Sequence, residues 1–81
     1  EPEKVNEIQE AALAHAKAII EALRASGLSG VLITNEIGMG IVPENPMARA
    51  FRDIAGRVNQ TLAALSDEVW LLVSGIPVKI K

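Results

Sequence analysis

Eighty-one residues, 49% hydrophobic and 22% charged, describe one globular domain with no room for a second module. Eight Lys and Arg against ten Asp and Glu leave a net charge of −2, so the basic excess of a nucleic-acid binder is missing, and Phe51 and Trp70 are too few aromatics for a base-stacking platform. Without cysteine, thiolate nucleophiles, disulfides and Cys-ligated zinc are excluded.

The opening residues Glu1-Pro2-Glu3-Lys4 are acidic and helical in character, unlike a secretory signal. The longest apolar run, Val69 to Val73, is five residues, against the roughly 20 needed to cross a bilayer. The expectation is a soluble cytoplasmic protein that binds neither membrane nor nucleic acid.

From Pro2 to Ser26 the spacing predicts an amphipathic helix. Val5, Ile8, Ala12, Ala16, Ile19 and Leu23 recur at steps of three and four and share a stripe. Pro2 suits a first helical turn, and Gly27 suits the left-handed residue that closes a helix. His15, the single histidine, falls at the border of this stripe and reads as packing. One histidine without cysteine makes a zinc site improbable.

After a turn at residues 27–30, Val31-Leu32-Ile33-Thr34 is β-branched and apolar on both faces, the pattern of a buried parallel strand. Residues 35–45 form a loop, with Asn45 as N-cap and Pro46 as first residue of a second helix. That helix carries Met47, Phe51, Ile54, Val58, Leu62 and Leu65 on its apolar stripe and ends at Ser66-Asp67. Val69–Val73 is a second apolar strand. Ser74-Gly75 turns the chain into Ile76–Lys81, an edge strand that tolerates Pro77.

The order is α-β-α-β-β, an α/β unit with a strand–helix–strand crossover and an edge strand at the carboxyl end. Two helices do not cover both faces of such a sheet, and at least one border stays open. The chain is therefore expected to be part of a larger sheet, completed by further polypeptide or by copies of itself.

Ligands of open α/β sheets bind beyond the carboxyl ends of the strands. The loop Asn35-Glu36-Ile37-Gly38-Met39-Gly40-Ile41-Val42-Pro43-Glu44-Asn45 leaves the first strand there, longer and more apolar than an ordinary connection. A binding loop and a loop that buries Ile37, Met39, Ile41 and Val42 under the sheet both fit. Gly38 and Gly40 permit close backbone approach, but a P-loop requires a Gly-Lys-Ser/Thr ending, and no lysine occurs between Lys17 and Lys79.

On the second helix, Arg49, Arg52, Asp53, Gly56, Asn59 and Gln60 lie away from the apolar stripe. Asp53 sits four residues after Arg49 and four before Arg57, within pairing reach of both. Glycine at 56 costs about 1 kcal/mol in a helix interior, which a neighbour or ligand against bare backbone would offset. A solvated face with weak ion pairs fits the same spacing.

The run Asn35-Glu36-x-Gly38-x-Gly40-Ile41-Val42-Pro43-Glu44-Asn45, followed by Arg49, Phe51-Arg52-Asp53, Gly56 and Asn59-Gln60, closely resembles the bifunctional adenosylcobinamide kinase/adenosylcobinamide-phosphate guanylyltransferase family of cobalamin biosynthesis. The likeness extends over roughly residues 28–81, including the strand ending in Gly75-Ile76-Pro77.

The resemblance implies part of a P-loop-type, mainly parallel sheet from an enzyme that phosphorylates adenosylcobinamide with a nucleotide triphosphate. The enzyme then transfers GMP from GTP through a guanylylated histidine, using ATP, GTP and magnesium. It also implies that this chain is the carboxyl-terminal half only, because the P-loop and the histidine belong to the amino-terminal half. His15 sits in the wrong element to replace that histidine.

On the same resemblance, Asn35 and Glu36 face nucleotide or corrinoid, and Arg49 and Arg52 contact phosphates with Asp53 orienting them. Gly38, Gly40, Asn59 and Gln60 complete the binding surface. No catalytic residue and no metal ligand is assigned within the chain, which alone is expected to be inactive. The alternative is a non-catalytic α/β module that self-associates, a fragment or an engineered piece.

Overall fold

In the computed structural model, residues 2–35 and 44–81 are described. The chain runs α1 (Pro2–Ser26), α2 (Pro46–Leu65), β1 (Trp70–Val73) and β2 (Ile76–Lys79). Among the described residues, no helix is long and apolar enough to cross a membrane.

Both helices occupy the spans their sequence signals mark. α1 has Glu3 in its first turn and Arg24 in its last, as the helix dipole favours. It closes at Gly27, whose φ of 70° is the left-handed conformation of a C-terminal cap. Ser26 Oγ donates to Leu23 O at 2.8 Å there. α2 starts at Asn45, whose side-chain oxygen accepts from Met47 N at 2.8 Å and Ala48 N at 3.3 Å, with Pro46 following.

The other end of α2 has no basic residue of its own in the last turn. Cations from other elements supply the charge. Arg24 Nη2 donates to Leu65 O and lies 3.4 Å from Asp67 Oδ1. Lys81 Nζ donates to Ala63 O at 3.0 Å and Ala64 O at 3.2 Å. Ser66 Oγ donates to Leu62 O at 2.6 Å. One helix end, with its orphan carbonyls and negative dipole, thus ties α1, α2 and the segment after β2 together.

α1 packs on α2. The buried centre of α1 is Ala16 (4% exposed) and Ile20 (7%), flanked by half-buried Val5, Ala12, Leu13 and Leu23. The expected stripe is therefore turned. Ile8 and Ile19 are exposed, and Leu13 and Ile20 take their place in the contact. α1 is apolar over an arc wider than one helix covers, so α2 takes one side of it and leaves the other. On α2, Ile54, Val58 and Leu62 are half-buried, while Met47 and Phe51 of the same stripe are exposed.

β1 and β2 pair antiparallel, with Trp70 opposite Lys79 and Val73 opposite Ile76. Ser74 and Gly75 have φ of 51° and 77°, the positive pair that a two-residue hairpin turn of the right twist requires. Ile80 N donates to Val69 O at 2.9 Å. Counting the ladder's alternation from that bond, Pro77 falls in a non-hydrogen-bonded pair, so its missing N–H is on the outer edge. Regular strand begins at Trp70 and ends at Lys79, inside the expected 69–73 and 76–81. Lys79 lies 5.6 Å from the centre of the Trp70 ring and 3.6 Å from Glu68.

Residues 31–34, expected as a strand, are described and form no ladder with another described segment. Among the described residues the sheet has two strands, and the expected strand–helix–strand crossover has no second parallel partner. A strand exists only through a ladder, and among the described residues no strand runs beside this segment. Val31 is 88% and Ile33 93% exposed.

The molecule is a slab of 40 × 31 × 14 Å with a radius of gyration of 14.3 Å, where a compact 81-residue domain has about 12 Å. Its accessible surface is 6532 Å², against roughly 4,700 Å² for a folded monomer of this mass. Both hairpin faces carry exposed apolar groups, among them Leu72, Val73, Ile76 and Val78.

Replacing Arg24 with alanine removes one non-local cation from the α2 carboxyl end. The expected loss is about 0.5–1 kcal/mol of unfolding free energy at low salt, shrinking as ionic strength rises. Urea unfolding at two salt concentrations measures it; a loss independent of salt would rule out the dipole contribution.

Candidate functional site

The end of the 31–34 segment and the middle of α2 meet at one side chain. Thr34 Oγ1 donates to Asn59 Oδ1 at 2.7 Å, and Asn59 Nδ2 donates to Asn35 O at 3.1 Å. A carbonyl only accepts, so the amide nitrogen must face Asn35. The oxygen is then left to accept from the Thr34 hydroxyl, and the chemistry of the three groups fixes the amide's orientation.

At the far side of the intervening residues, Arg49 Nη1 donates to Glu44 O at 2.9 Å, and Asn45 caps the helix. Residues 35 and 44 are thus both held to α2, by side chains ten residues apart. Ten residues of helix span about 15 Å. Glu36, Gly38 and Gly40, the candidate residues between them, lie outside the described residues.

Arg52, Gly56 and Asn59 follow one another at steps of four and three, and all three are half-buried on one strip of α2. Asp53 and Gln60 are exposed, farther round the helix. The pairing expected of Asp53 is not formed. The ion pairs among the described residues are Arg24–Asp67 and Lys79–Glu68, and Arg57 donates instead to Gln9 Oε1 at 3.1 Å on α1. Exposed pairs at four-residue spacing contribute only about 0.3–0.5 kcal/mol, less than a tertiary contact can offer Arg57. The structure therefore brings Asn35 and Asn59 together and sets Arg52 on the same strip, while Asp53 and Gln60 stand apart.

Thr34 is the participant that spacing did not single out. Its signal was available: a hydroxyl at the carboxyl end of an otherwise apolar run, beside the candidate loop.

The strip offers guanidinium and amide groups for a polar or anionic ligand. Among the described residues, no three His, Asp or Glu side chains gather to hold a metal ion. A groove of about 410 Å³ runs beside the junction, lined by Ala12, His15, Ile19, Leu32, Val58 and Leu62. His15 is exposed at its rim instead of packed.

A Cβ built at Gly56 would meet nothing within 4 Å. No contact among the described residues requires a glycine there. Gly56→Ala is expected to stabilise the isolated chain by about 1 kcal/mol, read by urea unfolding. A destabilised variant would show that the position is already filled.

Comparison with known proteins identifies the chain. The family described as cobinamide kinase / cobinamide phosphate guanyltransferase matches residues 3–80. The bifunctional adenosylcobalamin biosynthesis protein CobU of Salmonella typhimurium is 68% identical over 63 residues, 78% of this chain and 35% of that protein. The Escherichia coli protein of the same name is 58% identical over 74 residues, 91% of this chain and 41% of its own length. The bifunctional adenosylcobalamin biosynthesis protein CobP of Pseudomonas aeruginosa is 32% identical over 65 residues, 80% of this chain and 38% of its own length. The chain spans about two fifths or less of these relatives and corresponds to their carboxyl-terminal part. It belongs to the cobinamide kinase / cobinamide phosphate guanyltransferase family.

Proposed function

We propose that this chain contributes nucleotide- or corrinoid-binding residues to a cobinamide kinase/guanylyltransferase and does not carry out the transfers alone. The observation that supports this most is the junction at Asn59, which joins the first residue of the 35–45 motif to Asn59 of the second helix. Two stretches 24 residues apart in sequence thereby form one surface.

On that surface Arg49 and Arg52 bind phosphate oxygens of ATP, GTP or the corrinoid phosphate, since a guanidinium fork matches phosphate geometry. Asn35 and Glu36 contact the nucleotide or the corrinoid, Gly38 and Gly40 let backbone approach it, and Asp53 and Gln60 lie at its margin. The residues present fit magnesium only weakly, because Glu36 is the single candidate carboxylate in the loop before Glu44. Magnesium and the phosphate-gripping lysine would come from outside this chain.

Residues 31–34 are, on this proposal, a strand of a mainly parallel P-loop-type sheet completed by the amino-terminal portion of the enzyme. The second reading, a self-associating module, draws on the apolar groups exposed on both faces of the hairpin. Calorimetry of the isolated chain with ATP and GTP separates the two. Micromolar binding supports a nucleotide surface, and a defined oligomer without binding supports the module.

In the complete enzyme, Arg52→Ala and Glu36→Ala are expected to lower kcat/KM of at least one half-reaction roughly ten- to a hundredfold, the loss of one charged hydrogen bond. Wild-type rates in both half-reactions for both variants would overturn the proposal.

A further inference from the structure

Asn59 sits within the family-like motif of α2, where a ligand contact is the expected role. Its bonds point elsewhere. Both ends of its amide are engaged within the protein, the oxygen by Thr34 and the nitrogen by Asn35 O. A side-chain amide has two acceptor lone pairs and two N–H donors, and one of each is already committed to these partners. Asn59 is half-buried on α2, whereas Thr34 and Asn35 are exposed. The partners lie 24 and 25 residues away in sequence, so these bonds hold one segment against another and do not serve local helix structure. The bonded carbonyl belongs to the planar peptide through which the chain continues past Asn35.

We propose that Asn59 is a positioning residue: through Thr34 and the Asn35 carbonyl it fixes the start of the 35–45 binding segment on α2, and it does not itself touch the ligand. This rests on the proposed binding role of that segment. Each bond is an ordinary neutral hydrogen bond. Two on one amide define direction as well as distance. Misplacing a binding group by even an ångström is costly for a reaction that depends on alignment.

The experiment uses the complete enzyme with Asn59→Ala, Thr34→Val, Thr34→Ser, the Asn59→Ala/Thr34→Val pair and Glu36→Ala. KM and kcat are measured for each substrate, together with the thermal midpoint. Thr34→Val is nearly isosteric at an exposed position, so it keeps the fold while removing the hydroxyl.

The expected result is a three- to tenfold rise in one KM for both Asn59→Ala and Thr34→Val, for the same substrate whose KM rises in Glu36→Ala. Thr34→Ser returns it to the wild-type value. The double variant is no worse than Asn59→Ala alone, and the midpoint moves little. A costly Asn59→Ala with a silent Thr34→Val, or effects that multiply in the double variant, means that Asn59 acts by direct contact and overturns the inference while leaving the binding segment intact. Wild-type kinetics in Glu36→Ala overturn the segment's binding role, and the inference with it.

Discussion

Every backbone N–H and C=O in a strand needs a neighbour, and every apolar side chain on a strand needs something dry against it. A helix meets the first requirement internally, which is why α1 and α2 form in full here. Residues 31–34 and the 70–79 hairpin do not meet it alone. Among the described residues the first has no ladder, and the hairpin has an open border on each side. The slab is 14 Å thin, and among the described residues no third layer presses on these segments. Exposed Val31, Ile33, Leu72, Val73, Ile76 and Val78 follow from that one constraint.

α2 organises what the chain does hold in place. Its amino end is fixed by Asn45 and by Arg49 reaching Glu44, and its middle holds Thr34 and Asn35 through Asn59. Its carboxyl end attracts Arg24 from α1 and Lys81 from beyond β2. Charge and hydrogen bonding thus anchor the segment between 35 and 44 at both ends, on an element that needs no outside help to form. The apolar stripe of the same helix faces α1 for part of its length and is bare at Met47 and Phe51. The structural and the candidate binding roles of α2 fall on different faces.

Local signals in the sequence marked local structure well. Pro2 and Gly27 bounded α1, Asn45-Pro46 opened α2, and Ser74-Gly75 turned the hairpin, each because one residue's own conformational preference decides the matter. Partnerships across the chain were less legible. Ile8 and Ile19 share a helical period with Ala16, but which side of a broad apolar arc is covered depends on where α2 lies. Asp53 has Arg49 and Arg57 at the right spacing, yet Arg57 reaches Gln9 of α1. Thr34 became part of the site only when folding placed it on Asn59. Residues 31–34 have the side chains of a buried strand, while pairing depends on a neighbouring strand that those side chains do not name.

The central proposal is that these apolar extended segments are covered by protein outside the 81 residues. Sedimentation of the isolated chain in the presence of a fluorescent apolar dye such as ANS, with and without the amino-terminal portion of a family enzyme, tests it most directly. The account predicts dye binding by the isolated chain and association beyond 8.6 kDa, with dye displaced when the amino-terminal portion joins it. A monomer that binds no dye, unfolds cooperatively and ignores the added portion would contradict it.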